Sequence, residues 1–325
     1  MNKAGVIQDA ILQEDFLETS GPNEAGMVAQ HFIAFNTAIT LQAFAPEQAC
    51  LSAFGRVRKE ARRFERLFSR TLPHSDISCL NRSEGTPVEI SRDTADLLEC
   101  ALSYCADSDG RFDITMGSAV QLWDLRRAII PSQDALREAV AHVDWRGVRI
   151  IREESGRYFA QLADPQAAVD VGGIAKGWIA DKFTSVLLKE GLEDFLINLG
   201  GNVVARGKKP GGIAWNIGVR DPRDENSIVG AVPLCDASAV TSGIYERCCE
   251  VNGKFYHHIL SPETGMPVQT DVAGATVIAD RSIDAEGYST TLLALGTVRG
   301  LAFAREHPAI RKAIFVTSNG DVLES

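Results

Sequence analysis

The sequence predicts an α+β fold, with mixed or antiparallel sheets and packed helices. Three observations carry that reading. Residues 51–68 place apolar side chains at helical spacing. The second half is a succession of short, alternating apolar runs. The strict strand-to-helix alternation of a doubly wound sheet is missing.

In chain order, residues 1–28 read as an N-terminal extension and residues 29–325 as one domain, with room for two lobes meeting at a site. His31 to Phe44 alternates loosely and suits a strand. Leu51, Phe54, Val57, Ala61, Phe64 and Phe68 recur at intervals of three and four, one stripe of a helix whose outer face carries Arg56, Lys59, Glu60, Arg63 and Glu65. A second helix is expected over Thr94 to Cys105, and Ser132 is a natural N-cap for a third. Runs at Phe195–Asn198, Trp215–Val219, Phe255–Leu260 and Ala275–Ile278 read as strands. Lys176–Lys189, Ala285–Leu295 and Val298–Glu306 read as helices. The end, KAIFVTSNGDVLES, is a strand, an Asn319-Gly320 turn and a returning strand.

The formal net charge of -10 argues against a broad nucleic-acid surface, which needs dense positive charge. An anionic small ligand needs only a local cluster of donors. No run reaches the roughly 18 apolar residues of a membrane helix. Gln8, Asp9, Gln13, Glu14 and Asp15 interrupt any secretory leader, so a cytoplasmic protein with no membrane partner is expected. The seven cysteines lack zinc-type spacing, and several fall at apolar positions of expected helices, as buried thiols do.

The segment AVDVGGIAKGWIAD (168–181) carries the strongest local chemistry. A short strand ends at Asp170, Gly172, Gly173 and Gly177 follow, and a helical pattern starts near Lys176. Glycines let backbone N–H groups approach a ligand, and a helix N-terminus favours phosphate. Lys176 adds a full charge on that side. The spacing fits neither a Walker loop nor a dinucleotide fingerprint. A plain tight turn beside a solvated Lys176 accounts for the same glycines, and the loop alone leaves both readings open.

That loop is one of several segments spread over about Phe35 to Leu295: LFSRTLPHSDISCLN, DGRFDITMG with a following LW, DVGGIAKGWIAD, INLGGNV, VRDP, TSGIYER, YHHILSPETGMPV and AEGYSTTLLALG. In this order and spacing the chain resembles the ApbE family, the FAD:protein FMN transferases. The resemblance implies an ApbE-like, T-fold-related architecture that binds FAD as substrate with a divalent cation, usually Mg²⁺. A threonine hydroxyl of a protein acceptor would attack the FMN-side phosphorus and AMP would leave.

Carried over position by position, the resemblance places Asp170 and Lys176 against FAD, and gives the main-chain oxygen of Gly173 to the metal. Arg111, Phe112 and Asp113 would lie along the flavin nucleotide. His258 and Ile259 would stand near the phosphates, with His258 hydrogen-bonding or handling a proton. Plainer roles exist: Asp113 could cap a turn, and His258 could be a satisfied core histidine. His257 is expected on the opposite face of its strand.

The chain also departs from the family pattern. Glu286 stands where the family has a metal-binding Asp, and Thr290, four residues on, keeps the hydroxyl ligand on the same helix face. The extra methylene moves the carboxylate by about 1.5 Å, which the strict geometry of Mg²⁺ tolerates poorly. Asp284 is a candidate substitute. A helix-start acid favoured by the dipole is the plainer role for Glu286. Thr71 replaces an aromatic residue of the flavin pocket. Phe35-Asn36-Thr37 replaces Met-Gly-Thr, with its glycine lost, and Ser118 stands near a usual proline. The same site would also serve FAD hydrolysis, or FAD binding without chemistry.

Overall fold

The computed structural model describes residues 16–325. The earlier part of the expected extension lies outside the described residues. Strands β1 (Leu17–Ser20), β2 (Val28–Ala34) and β3 (Thr37–Ala43) open the chain. The helices Glu47–Phe68 and Asp76–Asn81 follow, then β4 (Val88–Ile90) and the helices Arg92–Asp107, Gly117–Val120 and Gln133–Val140. Strands β5 (Val148–Arg152) and β6 (Tyr158–Leu162) precede the helix Ala175–Lys189. Next come β7 (Phe195–Leu199), β8 (Asn202–Arg206), β9 (Trp215–Asp221), β10 (Asp224–Leu234), β11 (Ala237–Gly243), β12 (Cys248–Val251), β13 (Lys254–His257) and β14 (Val272–Ala279). The helix Ser282–Glu306 and strands β15 (Lys312–Thr317) and β16 (Val322–Glu324) close the chain.

Nine of these strands make one sheet, in the order β1-β2-β3-β7-β8-β11-β14-β15-β16. Every pairing in it is antiparallel. The long helices pack on one face, and the main core lies between them and the sheet. The β9–β10 hairpin covers part of the other face, where Trp215, Val219 and Leu234 meet Ala205, Ala239, Ile278 and Ile314. Strands β4-β6-β5 form a separate small sheet, and β12 with β13 a separate hairpin. Among the described residues no helix is long and apolar enough to cross a membrane.

Most elements form where their residues predict. The first long helix buries Phe54, Val57, Ala61, Phe64 and Phe68, the stripe read from the spacing. Ser132 accepts from the Ala135 amide at 3.2 Å as the N-cap of its helix. The helix pair expected around Gly296 is one continuous element interrupted there, where the backbone leaves helical geometry at φ 76° and ψ 177°. Asp271 then accepts from the amide and hydroxyl of Thr297, restarting the helix.

Three expectations need correction. The single strand expected over His31 to Phe44 is a hairpin. Phe35 and Asn36 both sit at φ 55°, the left-handed pair of a tight two-residue turn. Asparagine adopts that conformation readily, so the turn forms without the missing glycine. Within the expected extension, Leu17–Ser20 lies along β2 with its residues exposed, and Val28 is fully buried. The run Phe255–Leu260 leaves the strand after His257. Of the cysteines, only Cys50 and Cys105 are buried, while Cys248 is exposed.

Candidate active site

Residues 168–176 are fixed from both sides. The Asp170 amide donates to the Ile114 carbonyl at 2.8 Å, and Ala168 bridges Met116. A Cβ on Gly117 would fall 2.4 Å from the Ala168 oxygen, so only glycine permits this approach. The Asn81 side chain grips both backbone groups of Val169, accepting from its amide at 2.7 Å and donating to its carbonyl at 2.8 Å. The chain then turns at Val171, whose carbonyl accepts from Ile174 and Ala175, and enters the Ala175–Lys189 helix with no side-chain cap. Gly172 and Gly173 are exposed and lead into that uncapped N-terminus. Their role is closeness: a Cβ on Gly173 would press on the Phe112 ring at 3.1 Å.

Asp170 accepts from the Gly172 amide at 2.8 Å and pairs with Arg70 at 3.1 Å. Thr71, next to Arg70, is exposed and bonds the Ser69 hydroxyl at 3.2 Å. Phe35 lies in the β2–β3 turn, where its amide donates to Glu65 at 2.8 Å. The same turn abuts INLGGNV: a Cβ on Gly200 would fall 2.3 Å from the Thr37 hydroxyl.

Two helix starts then meet. Gly177 lets the Ala175–Lys189 helix touch the Ser282–Glu306 helix, because a Cβ there would lie 2.7 Å from Glu286 Cβ, Ile283 Cα and the Ser282 oxygen. Lys176 Nζ bonds one oxygen of Glu286, and Asn202 Nδ2 donates to the other at 2.6 Å. Glu286 is 4% exposed. Its extra methylene therefore delivers a buried carboxylate between a cation and an amide. One turn on, Thr290 Oγ1 lies 3.1 Å from Ser242 Oγ. Asp284 is not the substitute that its position implies: it accepts from Tyr104 at 2.6 Å and pairs with Arg281 at 2.8 Å. Burial and that carboxylate push the Tyr104 hydroxyl up in pKa.

Asp113 is 9% exposed, and both of its oxygens are hydrogen-bonded. One oxygen accepts from the Thr115 amide and hydroxyl at 2.7 and 2.6 Å, and the other from the Trp145 amide at 3.1 Å. It is the turn cap of the plainer reading, and it aims the Arg111-Phe112 segment at the glycines. Burial raises its pKa against those hydrogen bonds. Arg111 is half-buried, and Ile259 is in the core.

The two histidines divide as expected. His257 is buried, and its Nδ1 accepts from the Ile259 amide at 3.3 Å. His258 is exposed. The protein around its ring nonetheless desolvates it, and this, followed by the positive charge of Arg247, pushes its pKa down to about 4, with Lys176 adding to the effect. The ring is neutral at pH 7. Its Nδ1 lies 3.2 Å from the Arg247 carbonyl, which can only accept, so Nδ1 carries the proton and Nε2 keeps its lone pair.

Gly173 packs on Phe112 and Lys176 bonds Glu286, with Asp170 at the start of the same turn, Thr290 one turn along and His258 within the field of Lys176. Sequence reasoning missed Asn81, Asn202 and Asp181. Asp181 accepts from the amides of Ser282 and Ile283 at 2.8 and 3.0 Å and caps the helix that carries Glu286. All three stand in the quoted segments, but their partners lie 80 to 102 residues away.

Among the described residues, no three or more His, Cys, Asp or Glu could hold a metal ion together. The oxygens of Glu286, Thr290 and Gly173 are hard donors with a single carboxylate. That set suits a cation shared with substrate phosphates, as Mg²⁺ commonly is, once Glu286 parts from Lys176. Two cavities, of about 300 and 330 Å³, lie elsewhere and include no residue of Asp170–Lys176.

The ApbE family profile matches residues 35–315. An FAD:protein FMN transferase of Treponema pallidum is 37% identical over 78% of this chain and 73% of its own. One from Klebsiella pneumoniae is 33% identical over 90% of both chains. The crystal structure of the ApbE protein of Thermotoga maritima superposes with a TM-score of 0.83 at 26% identity, over 92% of this chain and 97% of that one. With the family profile spanning this site and most of the sheet, the chain belongs to the ApbE family.

Proposed function

We infer that this chain is an FAD:protein FMN transferase. The observation that carries the reading is the meeting of Lys176, at the start of one helix, with Glu286, one turn ahead of Thr290 on another. The glycine-lined turn lies just before the first of these helices. In the reaction, an acceptor threonine oxygen bonds to the FMN-side phosphorus. The phosphoanhydride bond breaks, AMP leaves with the bridging oxygen, and the hydroxyl proton is released. The Gly173 amide and the uncapped start of the Ala175–Lys189 helix, with Lys176, hold the diphosphate where charge develops. The neutral His258 offers Nε2 as an acceptor for the hydroxyl or its proton. Arg111 and Phe112 border the flavin nucleotide, with Phe35, Thr71 and Ile259 around it, and Asp170 and Asp113 keep the loops in place.

Glu286, Thr290 and the Gly173 carbonyl are assigned to Mg²⁺, which would supply charge neutralisation of the phosphates. Glu286 would hold the cation in place of Lys176, whose ammonium would then be available to the substrate phosphates. The test is incubation with FAD and Mg²⁺, with and without a threonine-bearing acceptor domain. AMP together with a covalently fluorescent acceptor supports transfer. AMP and FMN released equally without acceptor indicate a pyrophosphatase, and bound FAD with no AMP indicates a binding protein.

A further inference from the structure

We propose that Arg247 holds the diphosphate of FAD together with Lys176, acting from the β12–β13 hairpin. The proposal rests on the transferase reading and adds a residue to its site. In the hairpin, Cys248 pairs with His257, and one step further the His258 amide donates to the Arg247 carbonyl at 3.1 Å. Arg247 and His258 are therefore directly opposite, and opposed residues of an antiparallel pair project to one face. That face is the one away from the buried His257. The Arg247 side chain is exposed and has no carboxylate partner among the described residues. The adjacent Glu246 pairs instead with Arg220 at 3.5 Å. Lys176, on a different element, also acts on His258 through its charge. Two cations from separate elements thus bear on one neutral imidazole, an arrangement that an anionic diphosphate would complete. A guanidinium matches phosphate oxygens in paired, charge-assisted hydrogen bonds, which a lysine cannot reproduce.

The test measures binding of FAD and of riboflavin, which lacks phosphate, by flavin fluorescence in wild type, Arg247→Gln and Arg247→Lys. Thermal melts check that each variant folds. The expected result is FAD binding weakened about 10- to 100-fold in Arg247→Gln and by less in Arg247→Lys, with riboflavin unaffected in both. The salt dependence of FAD binding should also become shallower in Arg247→Gln. Unchanged FAD affinity, or an equal loss for riboflavin, would overturn the role of Arg247 while leaving the site itself standing. A wild-type protein that binds no FAD would overturn both.

Discussion

Replacing Gly177 by Ala tests how the site is assembled. The new methyl carbon would begin 2.7 Å from Glu286 Cβ, Ile283 Cα and the Ser282 carbonyl oxygen. Ordinary carbon contacts start at about 3.5 Å, so the helices must part by roughly 0.8 Å. Two of the three obstructing atoms are backbone, so no side-chain rotation relieves the clash. Overpacking of this kind costs about 1–3 kcal/mol, and the gain in helix propensity returns at most about 1 kcal/mol. A net loss of about 1 kcal/mol should lower Tm by roughly 1–2 °C. The same displacement moves the glycine turn and Lys176 relative to the Glu286 helix, so FAD affinity should fall with stability. Gly230→Ala is the control, since a Cβ there meets nothing within 4 Å. It should melt within about 0.5 kcal/mol of wild type. A Gly177→Ala protein with wild-type Tm and wild-type FAD affinity would refute the close helix contact as the device that forms the site.

Three further outcomes follow from the geometry. Asn81→Ala strips both hydrogen bonds from the Val169 backbone, and should cost about 2 kcal/mol in a thermal melt and weaken FAD binding with it. Glu286→Gln keeps the shape and the Asn202 contact but removes the charge. The Mg²⁺ concentration for half-maximal turnover should rise at least about 10-fold, by loss of a charge-assisted ligand, and an unchanged requirement would exclude Glu286 as a cation ligand. His258 is held at about 4 against an ordinary 6.5, so the unfolded chain takes up this proton first. Its contribution to stability is full above about pH 6.5 and is lost as pH falls toward 4. Proton NMR should show one imidazole titrating near pH 4, absent in His258→Asn, and a midpoint near 6.5 would refute the assigned environment.

The sequence carried the fold class and most elements, because amphipathic stripes, alternating runs and Asn-Gly turns are local signals. The hairpin hidden in residues 31–44 shows where local reading stops. Its turn uses a pair of left-handed residues, Phe35 and Asn36, and phenylalanine carries no such signal. Within the site, motif segments pointed to Lys176, Glu286, Thr290 and His258. They could not say that Glu286 is claimed by Lys176 and Asn202, that Asp284 turns to Arg281 and Tyr104, or that Asp113 is occupied by its own turn. Those facts depend on contacts across more than 80 residues for Asn202 and Lys176, and on the packing of whole helices. Asn81, Asn202 and Asp181 were invisible for the same reason: each satisfies a distant backbone or carboxylate that only the folded chain brings near.

The most direct measurement is a crystal structure of the protein soaked with FAD and Mg²⁺. The account predicts the diphosphate against the Gly173 amide and the uncapped helix start, with the Lys176 ammonium on its oxygens and Glu286 turned to the cation. A flavin seated instead in the cavity lined by Thr115, His142 and Asp164, with the Lys176–Glu286 pair intact, would contradict it.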